Sequence, residues 1–218
     1  MAKLKFPRKL IEQHLKLDNS TITALSLFGT PLESLTNEEV ELEISANRPD
    51  LLSARGFLRA FQAYKGKKTG LRTYAVAHDR KPNYTVVIDK GVKSCPRPHI
   101  ACAVVKNLSL TDATLKEIIR LQEKLALTLG RQRKKCGIGI YPMEKINFPI
   151  RYESRKPLDI EFTPLGFTKS ANAHQILQKH PIGKEYAHLL DGADRFPIFI
   201  DAKKQILSMP PIINSQNT

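Results

Sequence analysis

The stretch Pro197-Ile198-Phe199-Ile200-Asp201-Ala202-Lys203-Lys204-Gln205-Ile206-Leu207-Ser208-Met209-Pro210-Pro211-Ile212-Ile213-Asn214-Ser215 decides how the carboxyl-terminal half is read. Two apolar, β-forming runs, Pro197 to Asp201 and Gln205 to Leu207, flank a polar Lys203-Lys204 turn, which predicts a hairpin. The two prolines that follow fix φ and remove two N–H donors, so the chain should leave the second strand as a stiff extended loop. Ser208, Asn214 and Ser215 are polar groups interleaved with apolar ones. That composition suits a pocket wall with a few placed hydrogen bonds, and equally a rigid loop with no ligand.

Upstream of this stretch, a short helix is predicted over Ala173 to Lys179, stopped by Pro181. Residues 142 to 166 read as irregular, with possible strands near Tyr152 and Ile160. Ile138 to Tyr141 and His99 to Val105 read as strands, Tyr84 to Asp89 as β-patterned with a turn at Gly91. Between them lies the most regular helix, capped by Thr111 or Asp112 and running to Gly130. Nearer the start, Leu10, Ile11, His14 and Leu15 have helical spacing, and Ile22 to Phe28 is rich in β-formers. Val40, Leu42 and Ile44 alternate as in a strand. Pro49 breaks the chain, and Asp50 is positioned to cap a helix from Leu51 to about Tyr64. Lys65-Gly66-Lys67-Lys68-Thr69-Gly70 reads as a linker. The expected fold class is α/β in the mixed α+β sense. A small amino-terminal α/β domain spans 1–64, a linker 65–82, and a mixed-sheet domain 83–218.

With 218 residues the chain holds one large or two small domains. No run of about 18 apolar residues occurs, so no membrane-spanning helix is expected, and the start lacks signal-peptide character. Three cysteines without C-x-x-C spacing argue against a disulfide framework and for a reducing, cytoplasmic setting. Thirty-five Lys and Arg against 21 Asp and Glu give a net charge of +14. A surplus of that size serves a polyanion such as RNA, or solubility alone.

The predicted helix 112–130 concentrates the candidate chemistry. Leu115, Ile118, Ile119, Leu125, Ala126 and Leu129 form an apolar stripe. Gln122 interrupts that stripe, and a buried amide there must either satisfy backbone groups or line a polar pocket. Lys116, Arg120 and Lys124 recur every four residues, about 6 Å apart along the axis, followed by Arg131 and Arg133. They suit phosphates, a solvated face, or the negative end of the helix. No G-x-x-x-x-G-K-[ST] loop, G-x-S-x-G elbow or H-E-x-x-H motif is present. No metal site is expected, since His174 and His180 lack ligand spacing. Cys136 follows several cations and reads either as an activated thiol or as a half-buried structural one.

Leu121-Gln122-Glu123-Lys124-Leu125-Ala126-Leu127-Thr128-Leu129-Gly130-Arg131, Gly137-Ile138-Gly139-Ile140, Phe162-Thr163-Pro164-Leu165-Gly166 and Leu207 to Ser215 occur in that order. Together they resemble the β-subunit editing domain of archaeal and eukaryotic-cytosolic phenylalanyl-tRNA synthetases. Asn47-Arg48-Pro49-Asp50-Leu51-Leu52-Ser53 is similar to the small domain that precedes it there. The resemblance implies ester hydrolysis of mischarged Tyr-tRNA(Phe), with Gln122, Phe199, Ser208, Met209, Pro211, Asn214 and Ser215 around the tyrosine and no enzyme nucleophile. It implies tRNA(Phe) and a synthetase α subunit as partners, in a heterotetramer. ATP and magnesium are implied for the whole enzyme and no cofactor for this part. Relatives continue past the position of Ser215 into a strand bearing Asp and Thr, so the domain is expected to be cut short at its carboxyl end. That puts the fragment's own editing activity in question. The alternative role is a non-catalytic RNA-binding or structural module.

Overall fold

The computed structural model describes residues 2–76 and 84–218. Contacts divide the chain into two compact units: Met1–Val76 with Leu110–Leu129, and the described residues of Ala77–Ser109 with Gly130–Thr218.

In the first unit, strands β1 (Ala2–Pro7), β2 (Leu32–Leu35) and β3 (Glu39–Ile44) form an antiparallel sheet ordered β1-β3-β2. The predicted alternation on β3 is realised, since Val40, Leu42 and Ile44 are buried between half-exposed glutamates. They meet Ile11 of helix α1 (Arg8–Glu12), Leu25 of α2 (Asn19–Leu27) and Phe57 and Phe61 of α3 (Ala54–Tyr64). Phe57 stacks on both Phe6 and Phe61, with ring centroids 5.8 and 5.7 Å apart. Each such ring contributes about 1.5–3 kcal/mol by leaving water.

Two expectations fail here, both at helix starts. Ile22 to Phe28 is not extended but lies largely in α2, because the Asp18 carboxylate accepts the Thr21 N–H at 2.9 Å. A satisfied cap outweighs the weak preference of β-forming side chains. Asp50 does not cap α3. Its carboxylate is held by the Arg48 guanidinium at 3.0 and 2.8 Å, and Ser53 Oγ accepts from Gly56 N instead.

Helix α4 (Asp112–Leu127) is capped by Thr111 and groups by contact with the first unit, whereas the sequence division ran it with residues 83–218. Glu117 takes the Arg55 Nε at 3.1 Å, and Lys124 Nζ donates to the Leu52 carbonyl at 3.1 Å. Of the expected apolar stripe only Ala126 is buried; Leu115, Ile119 and Leu129 are exposed. Residues 65–76 are exposed without a helix or strand, and the rest of the expected linker, 77–82, lies outside the described residues.

The second unit is built on a five-stranded mixed sheet ordered β10-β9-β8-β5-β4. Its strands are β4 (Val86–Ile88), β5 (Ile150–Arg155), β8 (Phe196–Ile200), β9 (Ile206–Met209) and β10 (Ile213–Asn214). Only β4 and β5 run parallel; the other pairs are antiparallel. The hairpin predicted from the opening stretch is β8–β9, and β8 is buried along its whole length at the centre of the sheet. A small ladder, β6 (Glu161–Phe162) with β7 (Ala171–Asn172), leads into α5 (Ala173–Lys179), which has the predicted bounds. Pro181 both ends α5 and opens α6 (Pro181–Tyr186), with His180 Nδ1 accepting the Ile182 N–H at 3.2 Å. His180 therefore serves as a cap. The expected strands His99–Val105 and Ile138–Tyr141 join no ladder. Side-chain pattern favours extension, but a strand exists only where another offers it hydrogen bonds.

The β8–β9 turn rests on one carboxylate. Asp201 Oδ1 accepts the Lys203 and Gln205 amides, both at 2.9 Å, and Oδ2 accepts Asn147 Nδ2 at 2.7 Å. Burial alone would raise its pKa, but these donors outweigh burial and hold it below the ordinary value. Asp201→Ala should cost about 2–4 kcal/mol in urea unfolding at neutral pH. A depressed carboxylate contributes its stability above the unfolded value, near pH 4, and loses it as pH falls through the folded value. The gap between wild type and variant should therefore narrow below about pH 4.

Candidate functional site

Strand register lines four side chains up across the second unit's sheet. Tyr152 of β5 is opposite Phe199 of β8, Phe199 is opposite Ser208 of β9, and Ser208 is opposite Asn214 of β10. Laterally paired residues project from the same face, about 4.8 Å from one strand to the next. The row thus runs from two aromatic rings to a hydroxyl and an amide. Tyr152 meets Phe199 edge-on at 5.3 Å and donates its hydroxyl to the Arg97 carbonyl at 2.7 Å.

A fifth residue, which the sequence reading passed over, lies on this row. The Tyr141 ring stacks on Phe199 with centroids 6.4 Å apart and planes at 19°. Its Oη is 2.8 Å from Ser208 Oγ and 3.1 Å from Asn214 Oδ1. One proton suffices: the phenol donates to the Asn214 carbonyl oxygen and accepts from the Ser208 hydroxyl. Gly139 makes room for it, because a Cβ there would stand 2.7 Å from a Tyr141 ring carbon. The available signal was a hydroxyl-bearing aromatic directly after Gly137-Ile138-Gly139-Ile140, which read only as a strand.

The proline loop is fastened from below. Arg133 Nη1 donates to the carbonyls of Pro211 (3.1 Å) and Ile212 (2.8 Å), and its guanidinium sits 4.0 Å over the Tyr186 ring. Arg131, Gln132 and Arg133 all have left-handed φ, at 49°, 54° and 62°, which costs side-chain-bearing residues energy. Arg97 offsets it by donating to the Lys134 carbonyl at 2.7 Å and to the Arg133 carbonyl. Burial lowers the Arg97 pKa, and its Nε is buried without a hydrogen-bond partner among the described residues.

The remaining candidates are dispersed. Met209 is fully buried in the core with Ile198 and Ile212, and Pro211 is buried in the clamped loop. Ser215 is buried, with Oγ donating to the Thr163 carbonyl at 3.4 Å. Gln122 is half-buried on α4 in the first unit, so Ser208 and Gln122 belong to different units. Among the cations, Lys116 pairs with Asp112 at 2.7 Å, and Lys124 is half-buried with its pKa lowered, first by burial and then by Arg120. Arg120 and Arg131 are exposed. Cys136 is exposed. Among the described residues no three His, Cys, Asp or Glu side chains converge as metal ligands, and no helix is long and apolar enough to cross a membrane.

Both phenols of the site stay neutral well above the usual range. Burial raises Tyr141, against the Ser208 hydrogen bond; burial and Cys95 push Tyr152 to about 12, against Arg97. Because the folded value lies above the unfolded one, stability should fall from about pH 10 upward, as the unfolded chain ionises first. Absorbance titration of phenolate should show a late phase near pH 12 that disappears in Tyr152→Phe.

No protein-family model matches the sequence. Curated relatives do. A phenylalanine–tRNA ligase β subunit of Archaeoglobus fulgidus is 34% identical over 209 residues, covering 95% of this chain and 37% of the relative. The β subunit of Methanococcus aeolicus is 38% identical over 214 residues (96% and 37%), and that of Thermococcus onnurineus 42% over 172 (79% and 29%). The chain thus spans about a third of the length of the curated relatives it matches. Among solved structures, the crystal structure of an N-terminal fragment of the phenylalanyl-tRNA synthetase β subunit from Pyrococcus horikoshii superposes with a TM-score of 0.86 at 34% identity. That match covers 99% of this chain and 63% of the fragment.

Proposed function

The chain belongs to the phenylalanine–tRNA ligase β-subunit family, and from that premise we propose that its second unit recognises tyrosine wrongly esterified to tRNA(Phe) and promotes hydrolysis of the ester. The observation that carries this reading is the row Phe199, Ser208 and Asn214, which holds a phenol, that of Tyr141. Phe199 offers the ring a stacking surface, and the hydroxyl and amide take the phenol oxygen. Phenylalanine in the same place fills the surface but leaves Ser208 and Asn214 desolvated without partners. A site built on a hydroxyl rejects its absence by roughly 10⁴-fold, whereas an apolar pocket rejects an added hydroxyl by about a hundredfold. Hence a second site is useful after synthesis.

The chemistry is within reach of this arrangement. Water adds to the ester carbonyl, the tetrahedral intermediate collapses, and the ribose hydroxyl leaves. The carbon is already activated, so holding the tyrosyl group still while water approaches supplies rate without an enzyme nucleophile. Donors to the developing oxyanion would add to it. Among the expected phosphate contacts, Arg120 and Arg131 are the cations left free for tRNA, while Arg133 and Lys124 act within the fold. In the complete enzyme, working in the cytoplasm, an α subunit would complete the assembly, and ATP and magnesium would serve amino-acid activation.

In the full-length β subunit assembled with its α subunit, Ser208→Ala and Asn214→Ala should each slow deacylation of Tyr-tRNA(Phe) by about 5- to 150-fold, the loss of one buried hydrogen bond. Phe-tRNA(Phe) synthesis should be unchanged. Wild-type deacylation by both variants would leave the RNA-binding or structural role as the better reading. Separately, tRNA affinity measured against salt should lose about one unit of log–log slope in Arg131→Ala and keep its slope in Arg133→Met.

A further inference from the structure

We propose that Tyr141 is an internal occupant of the tyrosine site, a gate whose own phenol must leave Ser208 and Asn214 before a tyrosyl substrate can enter. The inference rests on the reading of Phe199, Ser208 and Asn214 as a tyrosine-recognising row.

Three observations carry it. Tyr141 makes every contact the proposed substrate side chain would make: ring on Phe199, oxygen on Ser208 and Asn214. Two phenols cannot share those partners, and Ser208 beneath it is only 1% exposed. Next, the segment that carries Tyr141 is held by that side chain and not by its backbone. Residues 136 to 141 form no helix or strand, and none of their main-chain groups bonds to main chain among the described residues. Residues 136 to 140 are exposed. Thirdly, the ring's position depends on Gly139 lacking a Cβ. A tether of this kind moves by rotating one side chain and a few glycine-flanked backbone bonds, with no ladder to break.

The consequence is a competition of fixed form. A tethered phenol faces its partners at a high effective concentration, so apparent affinity for an incoming tyrosine is reduced by the fraction of molecules in which the gate is closed. The competition weakens tyrosine and phenylalanine by the same factor, since either ring needs the gate open, so discrimination stays with Ser208 and Asn214.

The test uses this chain and two probes, L-tyrosinamide and L-phenylalaninamide, titrated by calorimetry. Tyr141→Phe keeps the stacking ring and removes the competing hydroxyl. It should bind L-tyrosinamide about three- to tenfold more tightly than wild type, the weight of one ordinary hydrogen bond. Gly139→Ala, which evicts the ring but leaves the hydroxyl on the chain, should tighten binding in the same direction. L-phenylalaninamide, which binds more weakly throughout, should tighten by a similar factor in each variant. Tyrosinamide binding that is unchanged, weakened or undetectable in both variants overturns the gate. Ser208→Ala made in the Tyr141→Phe background, where no gate hydroxyl competes, separates the two failures. If it abolishes tyrosinamide binding while Tyr141→Phe and Gly139→Ala change nothing, the tyrosine site stands and the gate falls. If the double variant binds tyrosinamide as Tyr141→Phe does, the tyrosine reading and the gate fall together.

Discussion

The register of β8 against its two neighbours is the constraint on which the second unit's site depends. β8 is buried on both faces, pairs with β5 in unbroken register, and pairs with β9 through a register shift between Phe199 and Ile200. That pairing sets Phe199 between Tyr152 and Ser208, and the short β9–β10 return adds Asn214 to the same line. The return itself needs the Ile212 N–H on the Met209 carbonyl at 2.8 Å and Arg133 on the two carbonyls of the loop. Asp201 closes the other end of the hairpin. Polar groups at both ends therefore hold an apolar ladder in one alignment.

The positive charge of the chain is spent in two ways that composition does not distinguish. Arg97 and Arg133 are structural hubs that gather main-chain carbonyls, as a planar guanidinium with five donors is suited to do. Lys124 lays its stem on the first unit, with the ammonium on a carbonyl and 6.0 Å from the Phe6 ring centroid. Only part of the surplus of +14 is then left for a polyanion, which is why salt dependence has to be assigned residue by residue.

The elements legible in the sequence were those whose signals are local. The β8–β9 hairpin, α5, α4 and the alternation of β3 follow from a turn, a cap or a period contained in the segment itself. Ile22 to Phe28 was misread because a single capping oxygen outweighed several β-forming side chains. His99 to Val105 and Ile138 to Tyr141 were misread because strand formation depends on a partner elsewhere in the chain. For the site, Ser208 and Asn214 were legible as polar residues around a stiff loop, Phe199 came only with the family resemblance, and register brought the three into one row. Met209 and Ser215 share that stretch, yet one is packed in the core and the other is bonded to Thr163, a division that spacing alone does not encode. Tyr141 was illegible because its role depends on contacts 58 to 73 positions away.

On the editing role proposed for the second unit, the Lys203-Lys204 turn would bear on accuracy of translation in a way that its exposed position conceals. The number of residues in the turn and the register shift between Phe199 and Ile200 together choose which β9 residue comes opposite Phe199. One residue added or removed between Asp201 and Gln205 would bring Leu207 or Met209 opposite Phe199 in place of Ser208. The apolar core would still close over a sheet, and Ser208 would still be present in the sequence. What would change is the atom set against Phe199, an aliphatic carbon or thioether instead of a hydroxyl. In the proposed editing role, fidelity would thus be written partly as a length, and an insertion among surface lysines would erase it as surely as replacing the serine.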